Sequence, residues 1–343
     1  MTKRALLVGI NYPGTSHALR GCVNDVHAIL DLLTTHYGFD QNNIGVLTDE
    51  LATTQNIKDS LDWLVRDAIP GDTLFFHYSG HGSQIMDDSD PDYEPDGLDE
   101  ILCPVDLDWN TKVIRDDDLK RVFDKVPLGV NLTAVLDCCH SGGGMDHSSQ
   151  HQPLGSAVRS LKQQPTMEDD EDIRSRYLPP PSEVQAKIGT REVDMGFKER
   201  SLQTRDIDKT GMMISGCQSH QTSADAYIDG KYRGACTYYL IDTLKHHQYN
   251  IDYMSLVNRM NVKMVEEGYT QRPELNGPIF LYDRVFLYEG SSQSSQSSPA
   301  VEHSAPRPEF IMDEEECTGF FCFDIMRKFK RSIKRRLKRG FFK

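Results

Sequence analysis

The chain lacks the marks of several common protein classes. Its eight cysteines form no regular framework, and none falls in the CxxC or CxxC…H spacing that would hold zinc. No glycine-rich cradle for phosphate follows the first apolar run. Asn11-Tyr12-Pro13-Gly14 there makes a turn, so a flavodoxin-like nucleotide binder loses its main support. Met1-Thr2-Lys3-Arg4 leads straight into Ala5-Leu6-Leu7-Val8-Gly9-Ile10, which reads as a strand, not a signal peptide, and is far too short to span a bilayer. Positive charge is scarce. With 38 Lys and Arg against 52 Asp and Glu the formal charge is -14, which argues against nucleic acid as the main partner and suits a cationic substrate or a bound cation. A cytoplasmic, reducing setting that keeps thiols free for chemistry is the simplest expectation.

What is present is a mixed α/β pattern. Over 343 residues the 38% apolar content is enough for a packed core, with room for one large or two modest domains. Strands are expected at 5–10, 44–48, 73–78 and 132–136, each a short apolar run between turn residues. Helices are expected at 24–36, 56–68 (with Thr54 as cap) and 117–126, where apolar residues recur at helical spacing. Alternation of this kind implies a central, mostly parallel sheet flanked by helices, with catalytic groups gathered beyond the carboxyl ends of the strands.

Composition divides the chain into a large region (1–144), a linker (145–209), a smaller region (210–290) and a tail (291–343). The linker is rich in Ser, Gln, Pro and charge and reads as mobile. The smaller region predicts a strand at 211–215, helices at 235–246 and 253–267, and a last strand at 278–282 or 284–288. From Arg327 to Lys343 there are ten Lys or Arg and no acid, while Met326, Phe329, Ile333, Leu337 and Phe341 share one helical face. Such a 325–343 segment suits an anionic membrane surface or a calmodulin-like partner, with Cys317 and Cys322 as candidate acylation sites. Docking on the protein's own acidic body is the alternative.

Two strand ends carry reactive groups. Leu74-Phe75-Phe76-His77-Tyr78 runs into Ser79-Gly80-His81-Gly82, and Leu132-Thr133-Ala134-Val135-Leu136 runs into Asp137-Cys138-Cys139-His140-Ser141-Gly142. Glycine lets a substrate backbone approach closely and leaves N–H groups free for an oxyanion. A thiol beside an imidazole becomes a nucleophile, and the imidazole can return the proton to a leaving amine. Either turn alone also fits a polar turn with a buried Cys. Two such ends on one sheet point to a Cys/His peptidase.

At these residues the chain resembles the metacaspases. Tyr78-Ser79-Gly80-His81-Gly82 and Asp137-Cys138-Cys139-His140-Ser141-Gly142 match the family's two catalytic motifs. Gly9-Ile10-Asn11-Tyr12, Leu19-Arg20-Gly21-Cys22-Val23-Asn24-Asp25, Ile214-Ser215-Gly216-Cys217 and Gln221-Thr222-Ser223-Ala224-Asp225-Ala226 match as well. The likeness covers about 4–144 and 210–285. It implies a caspase-hemoglobinase fold, a monomer, and a cysteine endopeptidase with Cys139 as nucleophile and His81 as its partner. It further implies oxyanion donors at the backbone N–H groups of Gly82 and Cys139, and a substrate pocket of Cys22, Asp25, Ser79 and Asp137. Two acids and no base in that pocket imply cleavage after Arg or Lys. Asp25 alone would also suit a helix start.

The acidic stretch from Asp87 to Glu100, with Asp116-Asp117-Asp118 after it, is either a solvated loop or a site for a hard cation. The resemblance implies activating calcium on Asp99, Glu100, Asp116 and Asp117, with Asp96 and Asp146 as further ligands. Linker residues such as Arg159, Lys162, Arg174, Arg176, Lys187, Arg191, Lys198 and Arg200 offer self-cleavage sites to an enzyme that selects basic side chains. An inactive caspase-like scaffold, acting through acidic loop and basic tail, is the competing class. It has no chemical need of His81 and Cys139.

Overall fold

The computed structural model describes residues 1–86, 98–139, 173–195, 211–218 and 221–287. All of them belong to a compact unit, Met1–Ser291; the 325–343 tail, Asp87 to Asp96, Asp146 and most of the linker lie outside the described residues. Along the chain the elements are β1 (Lys3–Gly9), α1 (Cys22–His36), β2 (Ile44–Thr48), α2 (Thr54–Val65), β3 (Thr73–Ser79), β4 (Gly82–Met86), β5 (Leu98–Leu102), β6 (Ile114–Arg115), α3 (Asp116–Phe123) and β7 (Asn131–Asp137). There follow β8 (Ile173–Ser175), α4 (Ser182–Met195), β9 (Gly211–Ser215), β10 (Ala224–Ile228), β11 (Lys231–Gly234), α5 (Ala235–His246), α6 (Tyr253–Glu266) and β12 (Glu274–Asn276).

The main sheet has the order β12-β9-β7-β3-β1-β2, parallel except for the edge strand β12. β3 sits inside it with all seven residues buried, as expected for a strand covered on both faces. Period-two alternation sorts its neighbours into two cores. Leu6, Val8, Leu74, Phe76 and Ala134 face α2 and α3, while Ala5, Leu7, Phe75 and Val135 face α1, α5 and α6. Because β9 pairs directly with β7, the large and small regions share one sheet.

Three expectations change, and two small sheets are new. Thr53, not Thr54, caps α2: its hydroxyl accepts from Asn56 N–H, while the Thr54 N–H donates to Asp106. The described segment 278–287 is not a strand but a turn of 3-10 helix at Ile279–Leu281 and a lone bridge from Val285 to Asp252; β12 ends the sheet just before it. Pro278, which has no N–H to give a ladder, marks the break. The 145–209 segment contains β8 and α4, because β8 gains backbone partners on β10 that its own sequence does not advertise. Finally, two small sheets join the main one, β4-β5-β6 and β11-β10-β8. The second is built on a two-residue hairpin, Asp229-Gly230, with both φ angles positive.

Candidate active site

β3 and β7 are adjacent and in register up to Ser79 opposite Asp137. His81 and Cys139 each come two residues later, so both arrive at the same rim of the sheet. His81 is almost fully buried, and three tyrosine contacts fix it. Its N–H donates to Tyr12 Oη (3.0 Å), its carbonyl accepts from Tyr78 Oη (2.7 Å), and its ring packs on Tyr12 with centroids 4.7 Å apart. The ring Nε2 lies 2.7 Å from the His17 carbonyl. A carbonyl can only accept, so Nε2 carries the proton and Nδ1 is left as a lone pair. Nδ1 is buried and makes no hydrogen bond. Burial lowers the His81 pKa to about 4, opposed by the His17 carbonyl and then by that of Arg176, so the ring is neutral above that range.

Cys139 is fully buried. Its Sγ accepts from Ser223 N–H and lies 3.6 Å from the Ser223 carbonyl. Among the described residues no hydrogen bond joins this thiol to the imidazole. The Cys217 thiol touches Cys139, and that contact, then burial, pushes its pKa well up.

Beside this pair lies a buried cation. The guanidinium of Arg176, a linker residue, is wholly enclosed and meets three carboxylates: Asp25 at 2.8 Å, Asp225 at 3.0 Å and Asp137 at 3.2 Å. It also donates to Ser79 Oγ (2.8 Å) and to the Asp137 carbonyl (3.0 Å), while its Nε makes no hydrogen bond. Three of the four expected pocket residues, Asp25, Ser79 and Asp137, therefore touch one guanidinium. Cys22, the fourth, reaches the group through Ser79, and burial pushes its thiol up. Other donors meet the remaining carboxylate oxygens. Asp25 accepts from Ser79 Oγ and Gly234 N–H, Asp137 from Ser223 Oγ and Thr237, and Asp225 from the N–H groups of Arg20 and Gly21. Burial still raises the Asp25 carboxyl to about 7, with Arg176 opposing and Asp137 adding to the rise.

The backbone of Arg176 is gripped as well. Its N–H donates to the Ser223 carbonyl (2.9 Å), and its carbonyl accepts from Gly82 N–H (3.0 Å), one of the two expected oxyanion donors. The structure thus supplies groups that sequence reasoning missed. Asp225 stands in the sequence only as part of a motif; the His17 and Ser223 backbone atoms carry no side-chain signal at all.

The expected calcium ligands fall at another corner. Asp99 and Glu100 lie on β5, next to β6 and the first turn of α3, which carries Asp116 and Asp117. Asp99, Glu100 and Asp116 are buried, and Arg115 Nε holds Asp99 at 2.6 Å. The donor set is hard oxygen, as calcium requires. Among the described residues, however, no three His, Cys, Asp or Glu side chains are disposed to hold a metal ion. Asp96 lies outside the described residues.

Fold and site define a caspase-like α/β protein with a thiol, an imidazole and an acidic pocket at one sheet rim. A family model described as "Metacaspase, peptidase C14 domain" matches residues 3–148. Metacaspase-1 of Candida glabrata is 34% identical over 292 residues, 80% of this chain and 72% of that one. Metacaspase-1 of Lodderomyces elongisporus is 35% identical over 291 residues, 80% of this chain and 64% of that one, so the chain spans under two thirds of that relative's length. A solved structure of a Geobacter sulfurreducens protein aligns with a TM-score of 0.55 at 25% identity, covering 83% of this chain and 98% of that one. The chain belongs to the metacaspase family.

Proposed function

We propose that the protein is a cysteine endopeptidase that cleaves after Arg or Lys through Cys139 and His81 and processes itself. The observation that carries this reading is a guanidinium buried among three carboxylates, with the carbonyl of the same residue on Gly82 N–H. A charge removed from water on this scale is tolerated only when paired, so a neutral or acidic side chain would leave the carboxylates uncompensated. Contacts are made at the guanidinium tip and none at Nε, so a lysine ammonium can meet part of the same demand.

In this reading His81 Nδ1, unprotonated because Nε2 donates to His17, takes the proton of Cys139 Sγ. The thiolate attacks the carbonyl carbon of the basic residue, and the N–H groups of Gly82 and Cys139 receive the oxyanion. Collapse breaks the C–N bond while the imidazolium returns its proton to the leaving amine. Water, deprotonated by the same imidazole, then attacks the thioester; the C–S bond breaks, the acid product leaves, and the imidazolium returns the proton to Sγ. Calcium at the Asp99–Asp116 corner is a proposed activator that would neutralise that acidic corner. A reducing, cytoplasmic setting and a monomeric state are likewise proposed, the former because both the nucleophile and its neighbour Cys217 are free thiols.

Paired fluorogenic peptides ending in Arg or Asp test the reading, with and without calcium. Arg cleavage absent from Cys139→Ala is expected. Hydrolysis that persists in that variant, or occurs after Asp alone, would overturn it, and no hydrolysis at all would favour a scaffold.

A further inference from the structure

We infer that residues 173–178 lie in the site as a substrate held in cis, that Arg176–Tyr177 is the bond cut, and that recognition extends to both sides of it. The inference rests on the peptidase reading above and deepens it. β8 adds antiparallel to β10, with Ile173 opposite Ala226, Arg174 opposite Asp225 and Ser175 opposite Ala224. Adding a strand to a sheet edge is a common way to read a peptide: main-chain bonds give affinity, and alternate side chains give selectivity.

The alternation is visible here. Arg176 enters the acidic pocket, Ser175 is exposed, and the Arg174 guanidinium donates to the Ala18 carbonyl. Ile173 packs against the core on the α1–α5 side. Beyond the cut the chain changes partners. Tyr177 bridges to Gly82 in parallel, Leu178 N–H donates to the Gly82 carbonyl (3.0 Å), and Ser83 Oγ donates to the Leu178 carbonyl (2.6 Å). The Leu178 side chain packs against the core on the α2 side.

The Arg176–Tyr177 peptide is thus held from both ends: Ser223 grips the nitrogen before it, and Gly82 grips the carbonyl at it and the N–H after it. A stabilising ion pair alone would not require the carbonyl of that arginine to sit on Gly82 N–H. The register assigns an apolar residue four positions before the cut, a basic one three positions before, an exposed side chain two positions before whose hydroxyl accepts from the segment's own Tyr177 N–H, and an apolar one at the second position after.

The test has two arms. Wild-type protein is incubated with full-length Cys139→Ala chain, and the new amino terminus is sequenced. A terminus at Tyr177, lost in Arg176→Gln substrate, is expected. Quenched peptides of sequence Ile-Arg-Ser-Arg-Tyr-Leu are then compared with single replacements. Asp in place of the final Leu or the first Ile should lower kcat/KM about tenfold, since each buries apolar surface. Asp in place of Ser should change it less than about threefold. Cleavage elsewhere in the linker, or equal rates for Leu and Asp after the cut, would overturn the inference while Cys139-dependent Arg hydrolysis stands. Loss of all such hydrolysis would instead sink the peptidase reading, and this one with it.

Discussion

Two acidic clusters on this molecule invite comparison. In the pocket, Asp25, Asp137 and Asp225 come from α1, β7 and β10, and Asp25 and Asp225 are 200 residues apart in sequence. At the β5–α3 corner, Asp99, Glu100, Asp116, Asp117 and Asp118 lie within twenty residues of one another. The dispersed set converges on one guanidinium, with its remaining oxygens met by backbone and hydroxyl donors. The crowded set divides its charge among several cations: Arg115 takes Asp99, and Lys58 and Arg121 take Asp118. Density of acids along a sequence is therefore a poor guide to where a cation is held. Convergence in space is the better one, because Coulomb attraction depends on distance and burial and not on chain separation.

The largest test of this contrast removes one pocket carboxylate. Asp225→Asn should lower kcat/KM for Arg peptides by about 10²- to 10³-fold, since it breaks a fully buried pair. Asp117→Asn at the corner should leave the calcium-saturated KM within about twofold. Equal losses in both would erase the distinction. Circular-dichroism melting of each variant separates lost recognition from lost folding.

Next comes Gly234, the residue before α5, whose N–H donates to Asp25. A Cβ there would collide with the Asp137 carboxylate and the Arg176 guanidinium. Gly234→Ala has an ordinary backbone conformation to adopt and needs only space. It should cut Arg hydrolysis about a hundredfold through KM, and retained KM would show that the guanidinium enters elsewhere.

A smaller effect is expected at the corner. Chelation should reduce wild-type activity about tenfold, and Asp99→Asn with Asp116→Asn should make the enzyme indifferent to added calcium. Activity untouched by chelator would end the proposal and leave the pocket argument intact. The mildest test is acidity. Asp25 stands at about 7 with Arg176 beside it, and the arginine is the largest influence lowering it. On the proposed function, lowering pH through that range protonates Asp25 and weakens its hold on a substrate cation. KM for Arg peptides should therefore rise a few-fold from pH 8 to pH 6, more than kcat changes. A flat KM across that span would show that Asp25 stays ionised.

Much of this was legible in the residues. The strand runs at 73–78 and 132–136 are continuous apolar stretches ended by Gly-flanked polar turns, the pattern of a buried parallel strand, and together they place His81 and Cys139 just beyond the strand ends. The hairpin at Asp229-Gly230 is also written in the sequence, as a two-residue turn between Tyr227-Ile228 and Lys231-Tyr232. The strand at Ile173–Ser175 could not be read. Three residues have no periodicity, and their stability comes from the β10 edge.

The sequence by itself determined the α/β class, the two strand ends that carry His81 and Cys139 and the kinship with metacaspases, because burial pattern and turn chemistry are local properties. Only the tertiary structure decided that Asp225 joins Asp25 and Asp137, that the His17 carbonyl sets the imidazole tautomer, and that Arg176 is the linker cation enclosed among the described residues. Those outcomes depend on backbone atoms and long-range register, which residue identity does not encode position by position.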